Sequence, residues 1–327
     1  MKKGEILLSP FGGYGGFRLS VENAGFKVIK EYYSEICPNA SNVMEYHFPD
    51  AIHVGDVSKL KSKDFLDVTN LGGGSPCQNF SMMGKRQGLK SKKIEVVKYE
   101  QYLELKEDGF EFEGQSWLVW EYIRLQKEIS KLQKKNGLPV LNFMLENVKM
   151  IPKWRDVISD ALETDPIMIN SSLLTAQNRE RYYWTDYGYI QYPEDLKIFI
   201  GDVINGAKSG AAYRGIINKD GTEYSYPVKI RKDKKSNTLV TKFGNINKTN
   251  GKRFGTGFYE DKKGNIKLLT PEQGEILQGL SKGYTNVEGI SQTAREKMIG
   301  NGWSIPTTTY ILKQLKKNKN ARKGIKN

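Results

Sequence analysis

Leu71-Gly72-Gly73-Gly74-Ser75-Pro76-Cys77-Gln78-Asn79-Phe80-Ser81 joins an apolar approach to a glycine-rich turn and then sets a cysteine behind a proline. The preceding segment, Phe65-Leu66-Asp67-Val68-Thr69-Asn70-Leu71, reads as a strand running into that turn, which puts Cys77 at a strand's carboxyl end. Open α/β sheets hold their ligands at such ends. A thiol attacks only as thiolate, so a reactive cysteine needs surroundings that favour the charge or a partner that consumes it. A cysteine without that context is more often a small buried hydrophobe. The strand-end position makes Cys77 the candidate nucleophile, and the other segments are read as its support.

Upstream, Glu5-Ile6-Leu7-Leu8-Ser9 reads as a buried strand, followed by Pro10-Phe11-Gly12-Gly13-Tyr14-Gly15-Gly16-Phe17 and a helical pattern through Ala24. Strand, glycine turn and helix let a ligand approach the backbone with no Cβ in the way, although the signal alone is shared by many nucleotide binders and by plain turns. A second strand, Phe26-Lys27-Val28-Ile29-Lys30-Glu31-Tyr32-Tyr33, leads to Ser34-Glu35. Glu35 stands about twenty positions beyond the glycines, a spacing that suits a carboxylate accepting from ribose hydroxyls. A third short strand, Ala51-Ile52-His53-Val54-Gly55-Asp56-Val57, also ends in an acid. Asp56 is either an acceptor for an adenine amine or a helix N-cap. Two acids at successive strand ends beside a glycine loop favour an adenosine pocket.

Downstream, Met82-Met83-Gly84-Lys85-Arg86-Gln87-Gly88-Leu89-Lys90-Ser91-Lys92-Lys93 reads as a basic mobile loop, and 94–113 as a hairpin insertion around Glu107-Asp108-Gly109. Helical periodicity covers 116–132 through Trp117, Trp120, Ile123, Leu125 and Ile129. Pro139-Val140-Leu141-Asn142-Phe143-Met144-Leu145 is a strongly apolar strand that delivers Glu146-Asn147-Val148. A carboxylate at the end of a buried strand is costly unless paired or protonated, which makes Glu146 the leading acid. Gln177-Asn178-Arg179-Glu180-Arg181 precedes aromatic strand residues and, viewed alone, reads as a surface ion-pair cluster. From Thr185 to about Gly264 the periodicity weakens into a second, smaller region. Thr270-Pro271 then opens a helix with an N-cap and a first-turn proline. A helix over 292–298 and a terminal helix through Thr309, Ile311 and Leu312 follow, and the lysine-rich 313–327 reads as a frayed end.

A chain of 327 residues can bury a full core. Lys+Arg 51 against Asp+Glu 37, a formal net charge of +14, favours a polyanionic partner, nucleic acid first. Two cysteines, Cys37 and Cys77, argue against a disulfide framework and for a reducing, cytoplasmic setting. The amino terminus resembles neither a signal peptide nor a membrane span. His47 and His53 lack the spacing of a metal pair, so no metal is expected.

Taken in order, these segments resemble the cytosine carbon-5 DNA methyltransferases. Phe11-Gly12-Gly13-Tyr14-Gly15-Gly16 is similar to the family's first motif, Gly74-Ser75-Pro76-Cys77-Gln78 to the nucleophile motif, and Glu146-Asn147-Val148 to the acid motif. Gln177-Asn178-Arg179-Glu180-Arg181 is similar to the arginine motif, and Gly300-Asn301 with its neighbours to the last one. Ser75, where the family usually has proline or a bulky residue, and Trp303-Ser304-Ile305-Pro306 depart from the common pattern and resemble the vertebrate de novo DNA methyltransferases.

The resemblance implies an α/β fold, a Rossmann-like S-adenosylmethionine-dependent methyltransferase sheet with helices on both faces, plus a smaller target-recognition region. The implied domains are a catalytic one over 1–184 with an insertion at about 90–114, a recognition region over 185–264, and a carboxyl segment over 265–327 returning to the catalytic domain. It implies Cys77, Glu146, Arg181 and Arg179 as catalytic residues, with Arg181 on the base oxygen and Arg179 supporting the pocket or the backbone. S-adenosylmethionine, leaving as S-adenosylhomocysteine, would lie against Phe11, Gly13, Gly15, Gly16, Glu35, Ile36, Asp56, Val57, Pro76, Leu118, Asn301 and Trp303. Gln78, Ser81, Lys85 and Arg86 would meet nucleic acid. The implied partners are double-stranded DNA and a cognate restriction nuclease, in the cytoplasm of a bacterium or phage-infected host, with the enzyme a monomer. Two other readings stand beside this one: a cytosine-5 RNA methyltransferase, and a non-catalytic nucleic-acid-binding protein on the same fold.

Overall fold

The computed structural model describes residues 4–77, 80, 88–91, 94–217, 223–243, 247–249 and 252–324. The chain divides into two compact units, the first made of 1–169, 180–191 and 311–327, the second of 170–179 and 192–310.

In the first unit β1 (Glu5–Pro10), α1 (Gly16–Asn23), β2 (Val28–Ser34), α2 (Pro38–His47), β3 (Ile52–His53) and β4 (Asn70–Gly74) follow one another. A two-rung antiparallel ladder of β5 (Lys90–Ser91) and β6 (Ile94–Glu95), then α3 (Tyr99–Glu107), α4 (Leu118–Lys135), β7 (Asn142–Val148), α5 (Pro152–Leu162), β8 (Ile167–Asn170) and β9 (Glu180–Thr185) complete it. Seven strands form one sheet in the order β3-β2-β1-β4-β7-β9-β8. It is parallel from β3 through β7, and β9 runs antiparallel to β7.

Side chains alternate across a strand, so each strand serves two layers. Leu8, Leu71 and Leu145 enter the large core with Trp120 and Ile123 of α4 and Trp154 and Ile158 of α5. On β2, Tyr32 packs against that core, while its neighbour Tyr33 packs on the opposite side with Met44 and Phe48 of α2. Helices therefore cover both faces, as the α/β reading expects. The buried Gln133 of α4 ties the strand entries together: its amide donates to the carbonyls of Leu66 and Val68, and its oxygen accepts from the Leu141 amide.

The glycines before Cys77 are strand, where a turn was expected, and the strand is Asn70–Gly74, where 65–71 was expected. Packing requires them. A Cβ on Gly72 would lie 2.4 Å from the Phe17 ring of α1, and one on Gly73 would lie 2.5 Å from the Pro10 carbonyl oxygen. The two point to opposite sides of the sheet, so β4 is squeezed from both. Because the Gly73 obstacle is backbone, Gly73→Ala should cost about 2 kcal/mol or more of stability, read as a lower denaturation midpoint at unchanged slope.

The insertion is chiefly helical, a correction to the hairpin expected there. Tyr102 of α3 is buried, stacks on Trp120 and packs against Phe112, and this aromatic contact fixes a helix that the charged local sequence conceals.

The second unit contains α6 (Ile200–Val203), β10 (Ala207–Ile217), β11 (Glu223–Ser225), β12 (Lys229–Ile230), β13 (Asn247–Thr249), β14 (Lys252–Asp261), β15 (Ile266–Leu268), α7 (Pro271–Gln278) and α8 (Gln292–Asn301). β10 and β14 form its long antiparallel pair, with Gly210 opposite Tyr259 and Ala211 opposite Phe258. The Thr270 hydroxyl accepts from the Gln273 amide, and the Gln273 side chain accepts from the Thr270 amide, the expected cap of α7. The division of the chain departs from the expected boundaries, because Leu277 of α7 and Ile299 of α8 share a core with Ala176, Ile200, Leu239, Phe243 and Tyr259. That shared core assigns 265–310 to the second unit, and only 311 onward returns to the first. α9 (Ile305–Gly324) is one continuous helix, where fraying was expected from 313. Among the described residues no helix is long and apolar enough to cross a membrane.

Candidate active site

β4 and β7 run parallel, with Gly74 paired to Glu146. The segment Ser75-Pro76-Cys77 thus leaves the sheet next to the strand end that carries the acid. In the antiparallel ladder of β7 and β9, Glu146 faces Tyr183 and Val148 faces Arg181. Glu146 and Arg181 are diagonal neighbours on one face, a spacing long side chains can bridge. Arg181 Nε lies 2.9 Å from Glu146 Oε1, the two side chains only 12% and 9% exposed. Arg181 also donates from Nη1 to the Glu180 carbonyl at 2.8 Å, which fixes its guanidinium. The expected strand-end acid is therefore paired, and its partner comes from the expected arginine motif. Cys77 is half-buried and reduced, and its carbonyl accepts from the Phe80 amide at 3.0 Å.

A second constellation lies at the ends of β1, β2 and β3. Phe11 takes a left-handed backbone, φ 59°, a conformation costly for an aromatic residue and held by the tight turn after β1. Gly13 has φ 56°, and a Cβ there would meet nothing closer than the Phe11 carbonyl oxygen at 3.9 Å, so the loop faces open space. Gly15 has φ 87° and lies against Phe48 and Met44, and Gly16 starts α1. The Glu35 carboxylate is aimed by three amides: Oε1 accepts from Ile36 and Cys37, and Oε2 from Gly13 at 3.0 Å. Ile36 beside it is 66% exposed, an apolar side chain left in the open. Asp56 caps the turn at Val57–Lys59, with Oδ1 accepting from the Ser58 amide and hydroxyl, so the N-cap reading of this residue is realised. None of these bonds uses its Oδ2. Val57 is buried, while Pro76 and Leu118, the first residue of α4, are half-buried. An aimed carboxylate, a bare glycine loop and an exposed isoleucine match the polar ribose and apolar base of an adenosine. Among the described residues no group of histidine, cysteine, aspartate and glutamate side chains could hold a metal.

A model of the family described as C-5 cytosine-specific DNA methylase matches residues 7–185, more than half of the chain. The chain belongs to this family. This methylase is 27% identical over 343 residues to the type II methyltransferase M1.ScrFI of Lactococcus lactis subsp. cremoris, across 94% of this chain and 77% of that protein. It is 26% identical over 327 residues to the type II methyltransferase M.MspI of Moraxella sp, across 93% and 69%. Among solved structures a mutant of Spodoptera frugiperda DNMT2 superposes with a TM-score of 0.64 at 15% identity, covering 95% of this chain and 99% of that one. That likeness shows the fold. The family implies S-adenosylmethionine as the donor, and the glycine loop with the Glu35 carboxylate could hold its adenosine.

Arg179 is placed differently from its neighbour Arg181. Its guanidinium is buried and donates to the carbonyls of Leu239, Gly300 and Gly302, all within the second unit, so it braces backbone. Bracing backbone is one of the two supporting roles that the resemblance implies for it. Asn301 and Trp303 also belong to the second unit, Asn301 exposed at the end of α8 and Trp303 buried just before α9. Gln78, Ser81, Lys85 and Arg86, expected to meet nucleic acid, lie outside the described residues.

The role of Asn147, quoted above only as part of the acid motif, comes from the structure. Asn147 is fully buried and donates from its side chain to Ser75, and the one available signal was its place at a buried strand end, where a polar group must find partners. His53, expected to be structural, stacks on Tyr33 and contacts the Glu35 carbonyl through Nε2 at 2.8 Å, bracing the backbone of the ribose-side acid.

Below the glycine loop, Glu31 of β2 is completely buried and accepts from the Ser9 hydroxyl at 2.5 Å. Burial pushes its carboxyl up to about 7, against the pull of Ser9 and Arg18. The folded protein thus holds this proton more tightly than the unfolded chain does. The resulting stability is fully present below about pH 4.5 and is lost as pH rises through 7. Relative to Glu31→Gln, wild-type unfolding free energy should fall by about 3 kcal/mol between pH 4.5 and 8, measured by denaturant titration across that range.

Proposed function

We propose that this methylase transfers a methyl group to carbon 5 of a cytosine flipped out of double-stranded DNA, through a covalent adduct with Cys77. The observation that carries the reading is the Glu146–Arg181 pair, whose acid stands on the strand next to the one that delivers Cys77. Carbon 5 of cytosine is too weak a nucleophile to be methylated directly. The Cys77 thiolate adds to carbon 6, forming an S–C bond and pushing the ring electrons towards carbon 5 and nitrogen 3. Glu146 supplies the proton that nitrogen 3 takes up, and Arg181, anchored on Glu146, holds the base oxygen. When bound, S-adenosylmethionine supplies the methyl group. Loss of the carbon-5 proton to a base, departure of Cys77 and return of the nitrogen-3 proton to Glu146 restore the ring.

A protein thiol cannot reach a base inside a duplex, so the cytosine must leave the stack at a cost of about a few kcal/mol. The net charge of +14 supplies the phosphate attraction that offsets this. The type II relatives support a cognate restriction nuclease as the biological partner. Phe11, Glu35, Ile36, Asp56, Val57 and Leu118 are proposed to hold the adenosine, with Glu35 on the ribose hydroxyls. Glu35→Ala should weaken cofactor binding roughly tenfold to a hundredfold, read by calorimetry without DNA, because a charged acceptor contributes about 1.5–3 kcal/mol.

The deciding experiment offers methyl-labelled donor with duplex DNA, single-stranded DNA or transfer RNA. Label in duplex DNA that co-migrates with 5-methylcytosine is expected. Label confined to RNA would replace the DNA reading, and label in none would leave a binding protein.

A further inference from the structure

Ser75 occupies the position before Pro76-Cys77 where the family usually carries proline or a bulky residue, and the structure gives its hydroxyl a partner. The β4 ladder ends at Gly74, and Pro76 has no amide hydrogen to offer, so side-chain bonds take over where the ladder stops. Asn147 supplies them. Its Nδ2 donates to Ser75 Oγ at 2.9 Å, and to the Ser75 carbonyl at 3.4 Å, close to the limit of a hydrogen bond. Its Oδ1 accepts from the Val148 amide at 2.8 Å, which locks the amide's orientation. Asn147 is 1% exposed and Ser75 5%, so water does not compete for these bonds. Asn147 directly follows Glu146, so the clip fastens the nucleophile's segment to the acid's own strand. A proline or alanine at 75 would remove the 2.9 Å bond and leave Asn147 Nδ2 its long contact with the carbonyl of residue 75.

We propose that Ser75 is a positioning residue, whose hydroxyl, clasped by Asn147, sets Cys77 in register with the Glu146–Arg181 pair. The proposal rests on the covalent mechanism above. The chemistry is sensitive to it because attack at carbon 6 requires a near-attack geometry, and displacement of a nucleophile by about 1 Å costs on the order of a hundredfold in rate.

The test is the single-turnover rate of covalent trapping on duplex DNA containing 5-fluorocytosine, with cofactor affinity, DNA affinity and thermal midpoint measured on the same preparations. Ser75→Ala is expected to trap ten- to a hundredfold more slowly, with cofactor and DNA Kd within twofold of wild type. Ser75→Thr, which keeps the hydroxyl, should recover the rate to within about threefold. Asn147→Ala removes the same clip from the other side and should show the same defect, the double variant being no slower than the worse single one. Asn147→Ala also keeps the test open if Ser75→Ala does not fold. Trapping at the wild-type rate by folded Ser75→Ala, or a deficit no larger than its lost folded fraction, would overturn the positioning role. Failure of wild type itself to trap would instead remove the covalent mechanism.

Discussion

Cys77→Ser is expected to abolish methyl transfer, lowering kcat by roughly 10⁴-fold or more, and to eliminate the denaturation-resistant complex with 5-fluorocytosine DNA. A serine hydroxyl is far less acidic than a thiol and needs a base to ionise it, and the carboxylate of the neighbouring strand end, Glu146, is engaged with Arg181. Substrate binding depends on other residues, so cofactor and DNA affinities should stay within about threefold of wild type. Retention of more than about one per cent of activity would remove Cys77 from the mechanism. Loss of activity together with cofactor binding would point to misfolding of the β4 end.

Arg181→Ala should be the next most damaging change, lowering kcat by about 10²–10³-fold and destabilising the fold by about 3 kcal/mol. Both losses have one origin. The substitution leaves the Glu146 carboxyl nearly buried without the Nε donor at 2.9 Å, and it removes the group proposed to hold the base oxygen. Glu146→Gln separates them, because it keeps the volume and a hydrogen-bonding group but cannot give up a proton. It should lower kcat by about 10²–10⁴-fold at nearly unchanged stability. The Arg181→Ala, Glu146→Gln double variant should lose far less than the product of the single losses, since the side chains act as one unit. Additive losses would show that they act separately.

The chemistry of the site was legible because it is written in short local words. Strand, glycine loop and helix at 5–24, acids after two successive strands, and a cysteine and a glutamate after two more each need only neighbouring residues to be read. The insertion is illegible for the opposite reason. Nothing local marks 99–107 as a helix that packs, and its anchor is the contact of Tyr102 with Trp120, eighteen positions away. The glycines of β4 read as a turn because glycine serves tight turns and close packing alike. The Phe17 ring and the Pro10 carbonyl, which decide between those uses, belong to other elements.

The two arginines mark the boundary most clearly. Arg179 and Arg181 are two positions apart, the spacing that puts side chains on one face of a strand, so the local pattern treats them alike. The strand begins only at Glu180, and the chain passes between units at that point. Arg181 is paired with Glu146, and Arg179 is spent on the carbonyls of Leu239, Gly300 and Gly302. By itself, then, the sequence determined the class of fold, the order of the motifs and the kinds of side chain the reaction uses, because strand periodicity, glycine loops and strand-end acids are local properties. Tertiary structure alone decided which arginine meets the acid, that Ser75 is clasped by Asn147, and that the glycines yield space to Phe17 and Pro10. Those pairings follow from the register of strands far apart in sequence and from the seating of α1 on the sheet, and both are settled only when the core packs.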